Sequence, residues 1–132
     1  METENFLGLP CYSLENAWLK LLVTRSVGPR ILSFGFKDGD NLFAELPEVV
    51  IDMPGNAPFH FYGGHRLWHA PEEPDRTYLP DDSPVEIVPS EHGFVATQGT
   101  EPQTGLQKSL EVRFSDSSAQ AVITHHLTNR GL

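Results

Sequence analysis

Short runs of alternating apolar and polar residues are the feature that most constrains how this 132-residue chain can fold. Between residues 105 and 114, Leu106, Leu110, Val112 and Phe114 alternate with polar neighbours, and Lys108 interrupts the apolar face. A period of two sends successive side chains to opposite faces of an extended chain, so it predicts a half-buried β-strand. Residues 119–127 repeat the pattern, with Ala121, Ile123, His125 and Leu127 on one face.

Two earlier runs carry the same signal on either side of a turn. Leu19, Leu21 and Val23 share one face of the first run, which ends before Gly28-Pro29. The second run, residues 30–36, is predicted to place Leu32, Phe34 and Phe36 on one face. Turn residues follow at 37–41, so the two runs are expected to begin an antiparallel meander.

A proline-rich middle segment separates these runs from the later ones. Residues 47–84 contain seven prolines together with several aromatic rings. Proline removes a backbone donor and fixes φ, so a regular ladder is not expected here. A flexible linker has no need of large rings, so we predict an ordered irregular loop region that carries binding groups. With about eight short strands and no helix signal, residues 1–132 are predicted to form one all-β domain, an antiparallel β-sandwich.

Charge and composition exclude several function classes. The chain has 9 basic and 18 acidic residues and a formal charge of −9, so it lacks the basic footprint of a nucleic-acid or anionic-membrane binder. The charge suits a neutral small molecule such as a sugar. Cys11 is the only cysteine, no signal peptide or membrane span is visible, and no cofactor is predicted. A cytoplasmic location is therefore expected.

The candidate site lies in the aromatic, glycine-rich part of the middle segment. His65 and His69 are candidate catalytic groups, because an imidazole can exchange protons with a sugar oxygen near neutral pH. Arg66 can donate paired hydrogen bonds to hydroxyl groups, and Trp68 offers an apolar face for a pyranose ring. Further substrate contacts are assigned to Glu72, Arg76 and Tyr78.

Two other interpretations of these residues remain open. The histidines can satisfy backbone groups in a loop, Trp68 can belong to the core, and Arg76 can form a surface ion pair. Alternatively, a divalent metal can bind, since imidazoles and a carboxylate are suitable ligands; this set comprises His60, His65, His69 and Glu72. The main prediction includes no metal.

Three segments together resemble the galactose mutarotase-like superfamily, which includes aldose 1-epimerases. They are the opening strands with VGPRI at residues 27–31 and NLF at 41–43, the loop YGGHRLWHAPE at 62–72, and VITHHLTNRG at 122–131. The resemblance implies a long antiparallel supersandwich and a sugar site at the glycine-rich loop. It also implies an acid histidine after the Thr-Asn-x-Gly turn and a base glutamate near the carboxyl end.

Neither of those implied catalytic positions is present in this sequence. We therefore expect a portion of a longer domain, truncated at its carboxyl end and inactive alone as an isomerase. The strong strand before Asn129-Arg130-Gly131 has no returning partner, so a homo-oligomer through this unpaired edge is one expectation. The predicted function is a carbohydrate-binding, aldose 1-epimerase-like protein. The alternatives are a non-catalytic sugar-binding β-sandwich module and a metal-binding β-barrel protein.

Overall fold

Alternation and turn residues produce a chain built almost entirely of short strands. The computed structural model describes residues 1–131, and Leu132 at the end of the predicted domain lies outside them. In chain order the elements are β1 (Glu2–Phe6), β2 (Leu9–Glu15), β3 (Leu19–Thr24), β4 (Arg30–Phe36), β5 (Glu45–Ile51), β6 (Phe59–Gly63), β7 (His65–Arg66), α1 (Pro74–Thr77), β8 (Glu86–Ser90), β9 (Gly93–Thr97), β10 (Leu106–Phe114) and β11 (Ala121–Asn129).

The strands form two antiparallel sheets and a two-stranded ribbon. The first sheet has the order β1-β2-β3-β4-β7, the second has the order β11-β10-β9-β8, and β5 pairs with β6. Most neighbours in sequence are neighbours in the sheets, which is the meander expected from closely spaced turns. The prediction of an all-β, sandwich-like fold is confirmed.

A single apolar layer joins the two sheets. The residues of the main core come from β3, β4 and the segment after β7 on one side, and from β9 and β10 on the other: Leu19, Leu21, Val23, Ile31, Leu67, Phe94, Ala96, Leu110, Val112 and Phe114. Ala121 and Ile123 of β11 pack against this cluster. The faces predicted for β3, β10 and the start of β11 are therefore those that face the core.

The predicted face of β4 is wrong at Leu32. Ile31 and Phe34 contact the main core, whereas Leu32 packs with Cys11 and Leu22 in a second cluster. The cause is a register shift opposite Leu22 and Val23 in the ladder between β3 and β4. One extra residue in a strand reverses the faces of those beyond it, and periodicity alone does not reveal it.

The proline-rich middle segment contains more regular structure than predicted. β5 and β6 form an antiparallel ribbon, although its register shifts between Leu46 and Val50. Pro47 lies within that irregular stretch, where a missing backbone donor does least harm. The four-residue helix α1 was likewise not predicted; Pro74 occupies its first turn, a position that tolerates proline.

Arg30 attaches the middle segment to the first sheet. Arg30 is only 1% exposed, and its Nε and Nη2 donate to the two carboxylate oxygens of Asp81 at 3.1 and 3.2 Å. Nη1 also donates to the carbonyl of Phe61 at 2.8 Å. A buried guanidinium needs such complete pairing, so these contacts attach Phe61, in the middle of the segment, and Asp81, near its end, to β4.

β11 is an edge strand in the part of the chain that the structure describes. All nine of its residues pair with β10 in unbroken register, and its other edge has no partner strand within residues 1–131. Self-association through this edge and truncation of the domain stay predictions. No helix within residues 1–131 is both long enough and apolar enough to span a bilayer.

Candidate functional site

Two consecutive glycines direct the chain into the candidate site. Gly63 and Gly64 have φ angles of 103° and 73°, which side-chain-bearing residues rarely adopt. A Cβ on Gly63 would clash with the carbonyl of Ala44, and one on Gly64 with the carbonyl of Ile31. The pair therefore serves close backbone packing, and it sets the two-residue strand β7 against the start of β4.

An open groove of about 660 Å³ lies beyond β7, beside α1 and the ends of β10 and β11. Side chains able to form hydrogen bonds dominate its lining: Asn56, His69, Asp75, Arg76, Gln103, Thr104 and Asn129, with Leu106 as the apolar member. The volume falls within the usual range for small-molecule sites. Amide, hydroxyl and guanidinium groups of this kind can bind a ligand that carries several hydroxyl groups.

His69 is the titratable histidine of this groove. Its Nδ1 is buried and has no hydrogen-bond partner among residues 1–131. Burial lowers the pKa of His69, and the nearby positive charge of Lys108 lowers it further. The negative charge of Glu101 acts in the opposite direction and raises it. An imidazolium requires two satisfied N–H donors, so this environment favours the neutral ring, whose unprotonated nitrogen can accept a hydrogen bond from a ligand hydroxyl.

Helix α1 presents Arg76 and Asp75 to the groove. The Arg76 guanidinium donates to the carbonyl of Pro71 through Nε at 3.3 Å and Nη2 at 3.0 Å. The Thr77 hydroxyl accepts a hydrogen bond from the backbone N–H of Glu73 at 2.8 Å, which stabilises the short helix. Arg76 is thus preoriented by backbone contacts rather than by the surface ion pair considered from the sequence.

Arg66 lies beneath α1. Both of its terminal nitrogens donate to the carbonyl of Thr77 at 3.3 Å, and its guanidinium carbon is 4.8 Å from the centroid of the Phe59 ring. Burial lowers the pKa of Arg66, and the charge of Arg30 adds to that effect. These contacts give Arg66 a role in holding the helix; its predicted contact with substrate stays a prediction.

The other predicted contact residues lie outside the groove lining. The Tyr78 hydroxyl donates to the Glu72 carboxylate, which raises the pKa of Tyr78. Tyr78 also packs edge-on against Phe59, with 5.5 Å between ring centroids. Trp68 keeps 44% of its surface exposed, so it is available for stacking, but it does not line the groove.

His65 lies apart from His69 and meets a different histidine. Its Nε2 is 2.8 Å from Nε2 of His125, and its ring stacks on Phe43 with 6.2 Å between centroids. Burial lowers the pKa of His65, and a charge on His125 lowers it further. The four-residue spacing of His65 and His69 therefore does not place both rings in the groove.

The metal set considered from the sequence does not converge. Within residues 1–131, no three His, Cys, Asp or Glu side chains are grouped so that they can hold a metal ion. His60 stacks on Tyr62, His65 contacts His125, and Glu72 accepts from Tyr78. The side chains of the hypothetical site are thus engaged in separate contacts.

Several groove residues were not anticipated from the sequence. Asn56 comes from the loop between β5 and β6, Gln103 and Thr104 precede β10, and Asn129 ends β11. No local motif links them, because they are brought together only by sheet pairing. The sequence could have indicated them only through the general rule that loops and strand ends meet at the ends of a sandwich and carry binding residues.

Comparisons with known proteins give no further assignment: no family model matches the chain, and no curated protein or solved structure does so either.

Proposed function

We propose that this chain is a carbohydrate-binding, aldose 1-epimerase-like protein, and that the groove beside α1 is its binding site. The observation that carries the proposal is the lining itself. Two asparagines, a glutamine, a threonine, an arginine, an aspartate and a histidine converge on one groove of about 660 Å³. A small neutral aldose has the hydroxyl groups to pair with them.

The electrostatics of the groove support a neutral ligand. Asp75 and Arg76 carry opposite charges, and His69 favours its neutral form, so the lining has little net charge although the chain carries −9. A phosphorylated sugar or a nucleotide would meet one arginine and no second cation in this lining. A ligand that relies on hydroxyl groups is the better match.

His69 is the residue best suited to proton exchange with a bound sugar. Opening a pyranose requires removal of the anomeric hydroxyl proton and protonation of the ring oxygen. A neutral imidazole can accept the first proton. The resemblance assigns the main acid and base to positions that have no counterpart in this sequence, so the activity proposed for this chain is binding.

A cytoplasmic location is part of the same proposal. Cys11 is buried, and burial with the nearby charge of Glu4 raises the pKa of its thiol to about 11. Such a thiol is a poor nucleophile and serves as a small apolar side chain. A fold that uses no disulfide among the described residues agrees with a reducing compartment.

Binding and catalysis can be tested on the same purified chain. Saturation-transfer NMR with D-galactose, D-glucose and uncharged control polyols is expected to detect binding of at least one aldose. Replacing Asn129 by Asp or Arg76 by Gln should weaken that binding. Exchange between anomers, followed by NMR, should keep its uncatalysed rate.

The outcomes separate the candidate functions. Binding with unchanged anomer exchange supports the proposal for this chain, and binding with accelerated exchange assigns the isomerase activity to residues within it. No binding of any aldose, in protein whose NMR spectrum is that of a folded β-sheet, would exclude the groove as a sugar site.

A further inference from the structure

The contact between His65 and His125 lies at the junction of the two sheets. β7, which carries His65, is the edge strand of the first sheet, and β11, which carries His125, is the edge strand of the second. The two Nε2 atoms are 2.8 Å apart, and the ring centroids are 5.0 Å apart. This is the one place in the described chain where two histidine rings from different sheets touch.

The orientation of His65 is fixed by a row of stacked rings. Phe34 stacks on Phe43 with 5.9 Å between centroids, and Phe43 in turn stacks on His65 at 6.2 Å. The His65 ring is half-buried in this row, whereas His125 is exposed. One imidazole is thus held firmly while its partner can adjust, and solvent can reach the pair.

We propose that His65 and His125 form a two-histidine site for a borderline divalent cation such as Zn²⁺, which would clip the two sheets together. Zinc binds neutral imidazole nitrogen at about 2.0–2.1 Å, so two such ligands in tetrahedral geometry stand about 3.3 Å apart. The observed 2.8 Å separation needs to open by only about 0.5 Å, which a small rotation of the exposed His125 ring supplies.

The protonation state of the pair suits a metal. At 2.8 Å one ring donates its Nε2–H and the other accepts, so the pair shares a single proton between two nitrogens. A cation that takes the place of this proton binds both Nε2 lone pairs, and the proton of the donor ring moves to Nδ1 of the same ring, which leaves both imidazoles neutral. The remaining coordination positions face solvent on the side of His125 and would be filled by water.

The pair is separate from the proposed sugar groove. Asn129 of the groove lies four residues beyond His125 on β11, a distance of roughly 13 Å along a strand. No residue of the groove lining belongs to the pair. The metal proposal therefore does not depend on the proposed function, and each can fail without the other.

The test uses tag-free protein freed of metal with a chelator. Isothermal titration with Zn²⁺ is expected to give one ion per chain, and thermal unfolding should shift upward with zinc, since a ligand that binds only the folded state stabilises it. His65→Gln and His125→Gln should each weaken zinc binding by roughly 100-fold or more, because even an outer-shell partner is worth 10–100-fold.

His126→Gln is the matched control. His126 is adjacent on β11 but faces the opposite side, where its Nε2 is 3.1 Å from a carboxylate oxygen of Glu111. This variant should bind zinc like the unaltered chain. Zinc binding that survives in His65→Gln and His125→Gln, or that falls only in His126→Gln, would overturn the proposal.

A second measurement avoids any dependence on how the variants fold. In the unaltered chain, long-range ¹H–¹⁵N NMR of the histidine side chains should show zinc shifting the Nε2 signals of His65 and His125 alone among the six histidines. If excess zinc shifts neither Nε2 signal, the contact between His65 and His125 is only a hydrogen bond between two rings, and the proposal is wrong.

Discussion

His65 and His69 are four residues apart, yet they lie in two unlike environments. His65 is stacked on Phe43 and contacts His125 at the junction of the sheets, whereas His69 lines a polar groove with Arg76 and Asp75. Both have a lowered pKa, first from burial and then from different neighbours. Spacing in sequence therefore does not define a common site when a short strand and a loop separate the residues.

The largest expected effect comes from the buried ion pair between Arg30 of β4 and Asp81 of the middle segment. Asp81→Asn removes the carboxylate that pairs with buried Arg30 and leaves a guanidinium without its counter-charge. We expect the free energy of unfolding to fall by about 3 kcal/mol. Urea denaturation monitored by tryptophan fluorescence measures it.

Asp82→Asn is the neighbouring control for that prediction. Asp82 accepts a hydrogen bond from the Tyr62 hydroxyl at an exposed position, so its replacement should change stability by no more than about 0.5 kcal/mol. Equal effects of the two variants would mean that the Arg30 contact does not hold the middle segment in place.

A second prediction concerns the charges that lower the pKa of His65 and of His69. Lys108 contributes to the lowered pKa of His69, and its Nζ lies 3.0 Å from a carboxylate oxygen of Glu101. Lys108→Gln should therefore raise the pKa of His69 and leave that of His65 unchanged. His125→Gln should do the reverse, raising only the pKa of His65. NMR titration of the histidine ring protons measures both, and a joint response would show that the regions are coupled.

The lowered pKa values also predict a pH dependence of stability. In the unfolded chain these histidines take up protons near pH 6.5, whereas in the folded chain His65 and His69 do so only at lower pH. The unfolded state then binds more protons, so their contribution is fully present above pH 6.5 and is lost as pH falls through the folded values.

Chemical denaturation between pH 7.5 and pH 5 tests this prediction. Stability should decrease with acidification, and His69→Gln together with His65→Gln should flatten the decrease. A slope in the double variant equal to that of the unaltered chain would assign the effect to other groups.

The smallest expected effect concerns the edge of β11, the strand that contributes to both regions. Val122 is 56% exposed, so Val122→Lys should change the stability of the monomer by no more than about 0.5 kcal/mol. If chains self-associate through this edge, the added charge should shift analytical ultracentrifugation profiles toward monomer. A dimer unaffected by the change would place the contact elsewhere.

Much of the fold is predictable from the sequence because its signals are local. Period-two alternation locates β3, β10 and β11 and assigns the core faces of β3, β10 and the start of β11 correctly, and Gly28-Pro29 separates β3 from β4 as expected. The face of Leu32 was wrong because a bulge is set by pairing with β3, which alternation within β4 does not encode.

Less of the candidate site is predictable, because it depends on contacts between distant segments. His69 and Arg76, two of the candidates from the sequence, line one groove, but the lining also includes Asn56 and Asn129, which lie far apart in sequence. The pairing of His65 with His125 likewise crosses 60 positions and two sheets. Only the tertiary arrangement creates such contacts.

We expect His65 and His69 to serve separate sites, and histidine side-chain NMR of the unaltered chain can distinguish separate sites from a shared one. Titration with an aldose should shift the signals of His69 and leave those of His65 and His125 in place, whereas Zn²⁺ should do the opposite. A single ligand that shifts the NMR signals of His65 and His69 to the same extent and with the same affinity would show that the two histidines share one site.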